Sequence, residues 1–217
     1  MKRRDCLGLL ALTTPLMGAP ALAQGAPQEG RQYRRLPQAQ ATSTPGKIEL
    51  IEFFWYGCPH CFIFDPALKQ WLSGAPADLS FRRVHVGFGG MIRLHQRFFY
   101  TLEALGVEGE LHDRVFNAFH VERMDVGSEN ALAALAVKLG LDATKYRQAW
   151  ASFSVQSRCM QAARLSDDYG IDGVPALSVG GRFVTAPSMA GVGMTEQQSG
   201  VAALRVTEYL IGLTRKG

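Results

Sequence analysis

The chain has 217 residues, 47% of them hydrophobic, and a formal net charge of +4. That length suits one domain, or one domain carrying an insertion, with enough apolar residues for a substantial core. The modest charge, without a dense Lys/Arg run, excludes nucleic acid as an expected partner, and no stretch is long and apolar enough for an integral membrane helix of about 20 residues.

The start "MKRRDC" is basic, and the apolar stretch after it is broken by Pro15, Gly18 and Pro20. Ala21-Leu22-Ala23 fits the small-x-small cleavage pattern, so residues 1–23 read as a secretory signal peptide. Cys6 precedes the apolar stretch and does not occupy a lipoprotein cleavage position. Cleavage also removes Lys2, Arg3, Arg4 and Asp5, so part of the positive balance belongs to the signal. Residues 24–46 are rich in Gln, Ala, Pro, Ser and Thr and read as a linker, with "QYRRL", Gln32 to Leu36, as a short edge strand.

"KIELIEFFW", Lys47 to Trp55, is nearly continuously apolar, as expected of a strand covered on both faces. Pro59 suits the first turn of a helix that runs to about Ser73. Leu79 to Phe88 predicts a second strand. A helical block follows, with Ser128 and Asp142 placed to start helices and Gly106 and Gly140 placed to end them. A further helix is expected from about Val155 to Tyr169, then a hairpin turned at Gly180-Gly181, then a helix from about Thr195 to Leu213. The organisation is therefore an α/β domain built from 47–88 and 155–217, interrupted by a helical insertion over 89–154.

"FFWYGCPHCFIF" places Cys58 and Cys61 two residues apart in an apolar, aromatic run. Such a pair can hold a metal, staple a loop or exchange electrons. A staple this short closes a tiny loop and removes little unfolded-state entropy. A structural zinc site needs a second pair at similar spacing, and Cys159 stands alone. Electron exchange fits best. Cys58 would end the strand-to-helix turn, where unpaired backbone N–H groups and the helix dipole favour a thiolate. His60 can add positive charge or a hydrogen bond. Stabilising the thiolate stabilises the reduced form, so the disulfide becomes an oxidant of other thiols.

"EFFWYGCPHC", with "GIDGVPAL" far downstream, "QYRRL" near the start and "FRRVHVGF" between, resembles the DsbA family of bacterial periplasmic thiol oxidases. The resemblance covers essentially the whole chain after the signal. It implies a thioredoxin-like fold, a central mixed β-sheet flanked by helices, with an inserted all-helical domain. It makes Cys58 the more exposed, nucleophilic sulfur of Cys58-Pro59-His60-Cys61, and Cys61 the buried resolving thiol. It makes Val174-Pro175 a cis peptide beside the pair, offering backbone groups to an extended substrate. It gives Glu52 an influence on proton transfer near Cys61. Some members pair that acid with a lysine on the next strand. Here the matching residue is Arg83, which cannot share a proton as lysine can.

The family implies no metal and no organic cofactor, because the Cys58–Cys61 disulfide is itself the redox centre. It implies unfolded exported proteins as substrates, a quinone-linked membrane oxidase of the DsbB type as partner, and a periplasmic monomer. The alternatives are a disulfide isomerase or reductase of the same superfamily, and a non-catalytic holdase. Dimeric isomerases carry an N-terminal dimerisation domain, for which residues 24–46 are too few. His85, His95, His112 and His120 lack metal spacing and read as packing, and Cys159 reads as a small buried hydrophobe on a face with Val155, Ala162 and Tyr169.

Overall fold

The structure is a computed structural model that describes residues 25–216; the expected signal peptide lies outside them. In chain order come β1 (Tyr33–Arg35), β2 (Ile48–Phe54), α1 (Pro59–Ser73), β3 (Leu79–His85) and α2 (Gly90–Ala104). Next come α3 (Glu108–His120), α4 (Glu129–Lys138), α5 (Ala143–Trp150) and α6 (Phe153–Asp168). The chain closes with β4 (Ala176–Val179), β5 (Phe183–Thr185), α7 (Pro187–Ala190) and α8 (Glu196–Arg215).

The strands form a five-stranded sheet in the order β1-β5-β4-β2-β3. β2 lies inside it, parallel to β3 and antiparallel to β4, so every residue of β2 after Ile48 is buried. That explains its unbroken apolar run. The side chains of β2 enter two cores. Leu50 joins Phe64, Leu68, Leu177 and Leu210 beneath α1 and α8. Ile51 and Phe53 join Phe98, Val115, Leu132 and Tyr169 beneath the other helices. The α1 crossover connects two parallel strands, as such connections must.

The predicted elements are found, with differences at their ends. β3 stops at His85 rather than Phe88, because Val86 is the last residue whose N–H bonds back to β2, at Phe54 O. α6 begins at Phe153, since the Ser152 side chain accepts a hydrogen bond from Val155 N; a boundary at 154 falls inside its first turn. The expected caps are present: Ser128 accepts from Ala131 N and Asp142 from Lys145 N. α8 starts with a reciprocal capping box between Thr195 and Gln198. The short helix α7 has no counterpart in the sequence reading.

The β4–β5 turn shows how tightly the linker is bound to the sheet. Gly180 and Gly181 both have positive φ, +59° and +64°. A Cβ on Gly181 would lie 2.2 Å from the backbone oxygen of Gln40, whose N–H donates to Gly181 O at 2.8 Å. Gly193 also has positive φ, but open space around its Cβ position. Gly193→Ala should therefore cost only the left-handed conformation, about 1–2 kcal/mol. Gly181→Ala should cost measurably more, because backbone must also move. Urea denaturation of both variants checks the ordering.

Candidate active site

The chain leaves β2 at Phe54 and reaches α1 through Trp55, Tyr56 and Gly57. Gly57 is required here: a Cβ would lie 2.4 Å from the Trp55 indole. Cys58 is the N-cap of α1. Its backbone is extended, its carbonyl accepts the first helical hydrogen bond from Phe62 N, and Pro59 occupies the first turn. No side chain caps this helix end, so its N–H groups face the Cys58 sulfur.

The two sulfurs differ sharply although three residues apart. Cys58 is 6% exposed and Cys61 0%. A hydrogen bond from the Cys61 thiol, aided by the backbone N–H groups of Cys61 and His60, holds the Cys58 thiol down at about 6, against the opposing effect of burial. Burial pushes Cys61 well above the ordinary thiol range, and the neighbouring Cys58 and Glu52 push it further. Cys58 Sγ also stands 3.5 Å from the Val174 carbonyl oxygen, and the Val174–Pro175 peptide is cis. The structure thus brings Cys58, Pro59, His60, Cys61, Val174 and Pro175 to one place.

A groove of about 450 Å³ opens beside the pair. His60, Val174, Pro175, Met189, Met194 and Glu196 are among its walls. His60 Nδ1 lies 2.9 Å from Glu196 Oε1, both side chains being exposed. The downstream segments α7 and the start of α8, which carry no motif of their own, supply one side of it.

Glu52 is not at the surface. It is 1% exposed, beneath the pair. Burial raises its carboxyl, opposed by the charges of Arg83 and His112. Arg83 Nε donates to Glu52 Oε2 at 2.8 Å, and Arg83 Nη2 donates to Asp65 Oδ1 at 3.0 Å. The fork of one guanidinium thus joins β2 to α1. Asp65 continues to His112 Nε2 at 3.2 Å, and His112 Nδ1 lies 2.8 Å from Glu108 Oε1. Burial opposes charge on Asp65, yet bonding to His112 and the charges of Arg83 and Lys69 hold it below the usual carboxylate range.

The histidines read as packing do more than pack. The imidazole of His85 is buried and kept neutral, its pKa pushed down to about 3 by burial. Its Nε2 accepts from Tyr56 N at 3.2 Å. His120 Nε2 donates to Tyr56 O at 2.7 Å while its ring stacks on Phe62. Trp55 Nε1 donates to His95 Nδ1 at 2.9 Å. Each polar group of the Trp-Tyr segment that these bonds reach is held by an imidazole from β3 or the helical insertion. Periodicity could not reveal this; only the Glu108–His112 spacing of four on one helix face was visible beforehand. Cys159, expected to be buried, is only half-buried; it packs against the core, and burial raises its thiol to about 11. Among the described residues, no group of three or more His, Cys, Asp or Glu is arranged to hold a metal ion.

A Cys-x-x-Cys pair at the start of the helix that follows an inner strand of a mixed sheet defines a thiol–disulfide oxidoreductase of thioredoxin fold. The comparisons with known proteins are narrower. The family model for the DSBA-like thioredoxin domain matches residues 77–195. The thiol:disulfide interchange protein DsbA of Azotobacter vinelandii is 36% identical over 213 residues, 96% of each chain. That of Bordetella parapertussis is 37% identical over 211 residues, 97% of this chain and 96% of its own. The crystal structure of Pseudomonas aeruginosa DsbA superposes with a TM-score of 0.79 at 34% identity, covering 86% of this chain and 94% of that one. The oxidoreductase DsbA from Xylella fastidiosa gives 0.80 at 25% identity, covering 89% and 100%. The chain belongs to the DsbA family, and it is a protein thiol–disulfide oxidoreductase that introduces disulfide bonds.

The lowered Cys58 pKa has a stability consequence with a definite sign. The folded value, about 6, lies below the ordinary 9.0. The stabilisation of the reduced protein is therefore complete above the unfolded pKa and is lost as pH falls through about 6. At neutral pH it amounts to about 1–2 kcal/mol. The oxidised form lacks this thiolate, and its tiny loop gives little entropy in return. Reduced protein should unfold at higher denaturant than oxidised protein at neutral pH, with the gap closing on acidification. Denaturation curves of both forms at several pH values test this.

Proposed function

We propose that Cys58 and Cys61 are the redox centre and that the chain donates their disulfide to unfolded exported proteins in the periplasm. The observation that carries this reading is the contrast between the sulfurs: one held as thiolate at a helix start, one buried and held as thiol. A substrate thiolate attacks Cys58 Sγ, and the Cys58–Cys61 bond breaks. Cys61 leaves and takes up a proton, as its surroundings demand. A second substrate thiol, losing its proton to solvent, attacks the substrate sulfur of the mixed disulfide. Cys58 then leaves as thiolate, stabilised by the helix N-terminus. Two electrons pass from substrate to the pair, and the substrate gains one disulfide.

Val174 and Pro175 would present backbone to an extended substrate, alongside the apolar groove. His60 would add positive charge beside the Cys58 thiolate, and Pro59 would fix the helix start. Glu52 would exchange a proton with Cys61. A quinone-linked membrane oxidase of the DsbB type would remove the two electrons and restore the disulfide. No metal or organic cofactor enters this scheme. Thiol pair and groove are complete within one chain, which supports a monomer. The inserted domain, residues 89–154, would hold the active-site segment through His95 and His120.

Equilibration of the purified protein with glutathione is the decisive measurement. The pair should be reduced by glutathione at ratios that leave ordinary structural disulfides intact. Oxidised protein should transfer disulfides to a reduced, unfolded substrate in stoichiometric amount, and Cys58→Ala should abolish that transfer. A variant that still suppresses aggregation, paired with a wild type that transfers nothing, would establish a holdase instead.

A further inference from the structure

The buried charge cluster beneath the pair extends beyond Glu52 and Arg83. It reaches His112, a side chain to which the reaction scheme above assigns no part, and continues to Glu108. His112 is 2% exposed and lies on α3, in the helical insertion. Its Nε2 is 3.2 Å from Asp65 Oδ1 and its Nδ1 is 2.8 Å from Glu108 Oε1. A neutral imidazole has one donor nitrogen and one acceptor. The acceptor would then point its lone pair at a carboxylate oxygen. The Tyr56 hydroxyl also lies 3.2 Å from Nδ1, but the Glu108 carboxylate at 2.8 Å is nearer; with Asp65 on Nε2, the ring meets carboxylate oxygens at both nitrogens, the surroundings of an imidazolium.

The groups facing it come from several elements. Asp65 and Lys69 belong to α1, with Lys69 shared between Asp65 and Asp113. Glu52 lies on β2, Arg83 and neutral His85 on β3, and Glu108 and Asp113 on α3. The Tyr56 hydroxyl, between β2 and α1, donates to Glu108 Oε1 at 3.2 Å. The buried carboxylates Glu52 and Asp65 have as cations the largely buried Arg83 and the buried His112. Arg83 cannot give up its proton. His112 can. Its charge is thus the cation of the cluster that can change with pH.

We propose that His112 is a positioning residue for the redox reaction: from the helical insertion, it supplies the titratable cation that sets the proton affinity of Glu52. The inference rests on the reading of Glu52 as the acid that exchanges a proton with Cys61. Two further facts agree with it. Hydrogen bonds to Asp65 and Glu108 raise the His112 pKa above the ordinary value although burial opposes this, and the His112 charge lowers that of Glu52. A charge three contacts away reaches Glu52 because the intervening Asp65 is buried and Arg83 largely so, which leaves the interaction poorly screened.

The test is the pH dependence of the glutathione equilibrium for wild type, Glu52→Gln, His112→Gln and the double variant. Glu52 protonation depends on the redox state, since the Cys58 thiolate exists only in the reduced form. The wild-type profile should therefore break at the Glu52 titration, and Glu52→Gln should remove that break. His112→Gln should move the break upward by roughly one pH unit, as loss of a nearby opposite charge does. The double variant should match Glu52→Gln alone. A purely packing role for His112 lowers stability without moving the break.

An unmoved break in His112→Gln, with an altered profile in Glu52→Gln, overturns the proposal and leaves the Glu52 reading standing. A Glu52→Gln profile identical to wild type overturns the Glu52 reading and this proposal with it. Should His112→Gln not fold, nitrogen chemical shifts of the wild-type ring decide alone. Two protonated nitrogens at neutral pH support the proposal, and a neutral ring refutes it.

Discussion

The arrangement depends on one constraint: Cys58 must sit where α1 begins. Pro59 cannot donate a backbone hydrogen bond, so the helix starts there without loss. The first-turn N–H groups are left without carbonyl partners and turn to the sulfur. One turn later, Cys61 is inside the helix and under the core, with no exposure at all. The same helix thereby stabilises negative charge on one sulfur and opposes it on the other. An oxidant gains from this asymmetry, because the sulfur at the helix start is the one on which a released thiolate is stabilised.

The contribution of the helical insertion reaches the cysteines through the Trp55-Tyr56 segment. His95 and His120 come from α2 and α3, and His85 from the end of β3. Their rings pack against Phe54, Tyr56, Phe62, Phe99 and Phe119 while their nitrogens take up polar groups of the loop. A loop carrying unpaired backbone groups into an aromatic core would be costly. Histidine resolves this by being apolar in its ring faces and polar at its edge. The insertion thus fixes the approach to Cys58 as firmly as the sheet does.

Arg83 constrains what the buried acid beside it can do. Arginine's fork bridges Glu52 and Asp65 at once, which a lysine ammonium reaches less directionally. The fork gives β2, β3 and α1 a fixed junction directly below the pair. Because it stays charged, Arg83 cannot itself take part in proton exchange.

Much of this was legible in the sequence because it was local. The continuous apolar run through Phe54 specifies a strand covered on both faces. Pro59 specifies where α1 starts, and Ser128 and Asp142 specify later helix starts through bonds three residues long. Gly180-Gly181 specifies the hairpin through backbone conformation alone. The roles of Asp65, Glu108 and His112 were not legible. They lie on different helices, and their meaning comes from meeting around Arg83. Sequence periodicity assigned His112 to packing because a single helix shows only its own face. The groove beside Cys58 likewise draws on Met189, Met194 and Glu196, which no motif announces and which the chain path brings beside Val174. Short-range hydrogen bonds and burial patterns are written into consecutive residues. Which charges share a buried site is decided only when separate elements pack, because desolvation and Coulomb energy act through space and not along the chain.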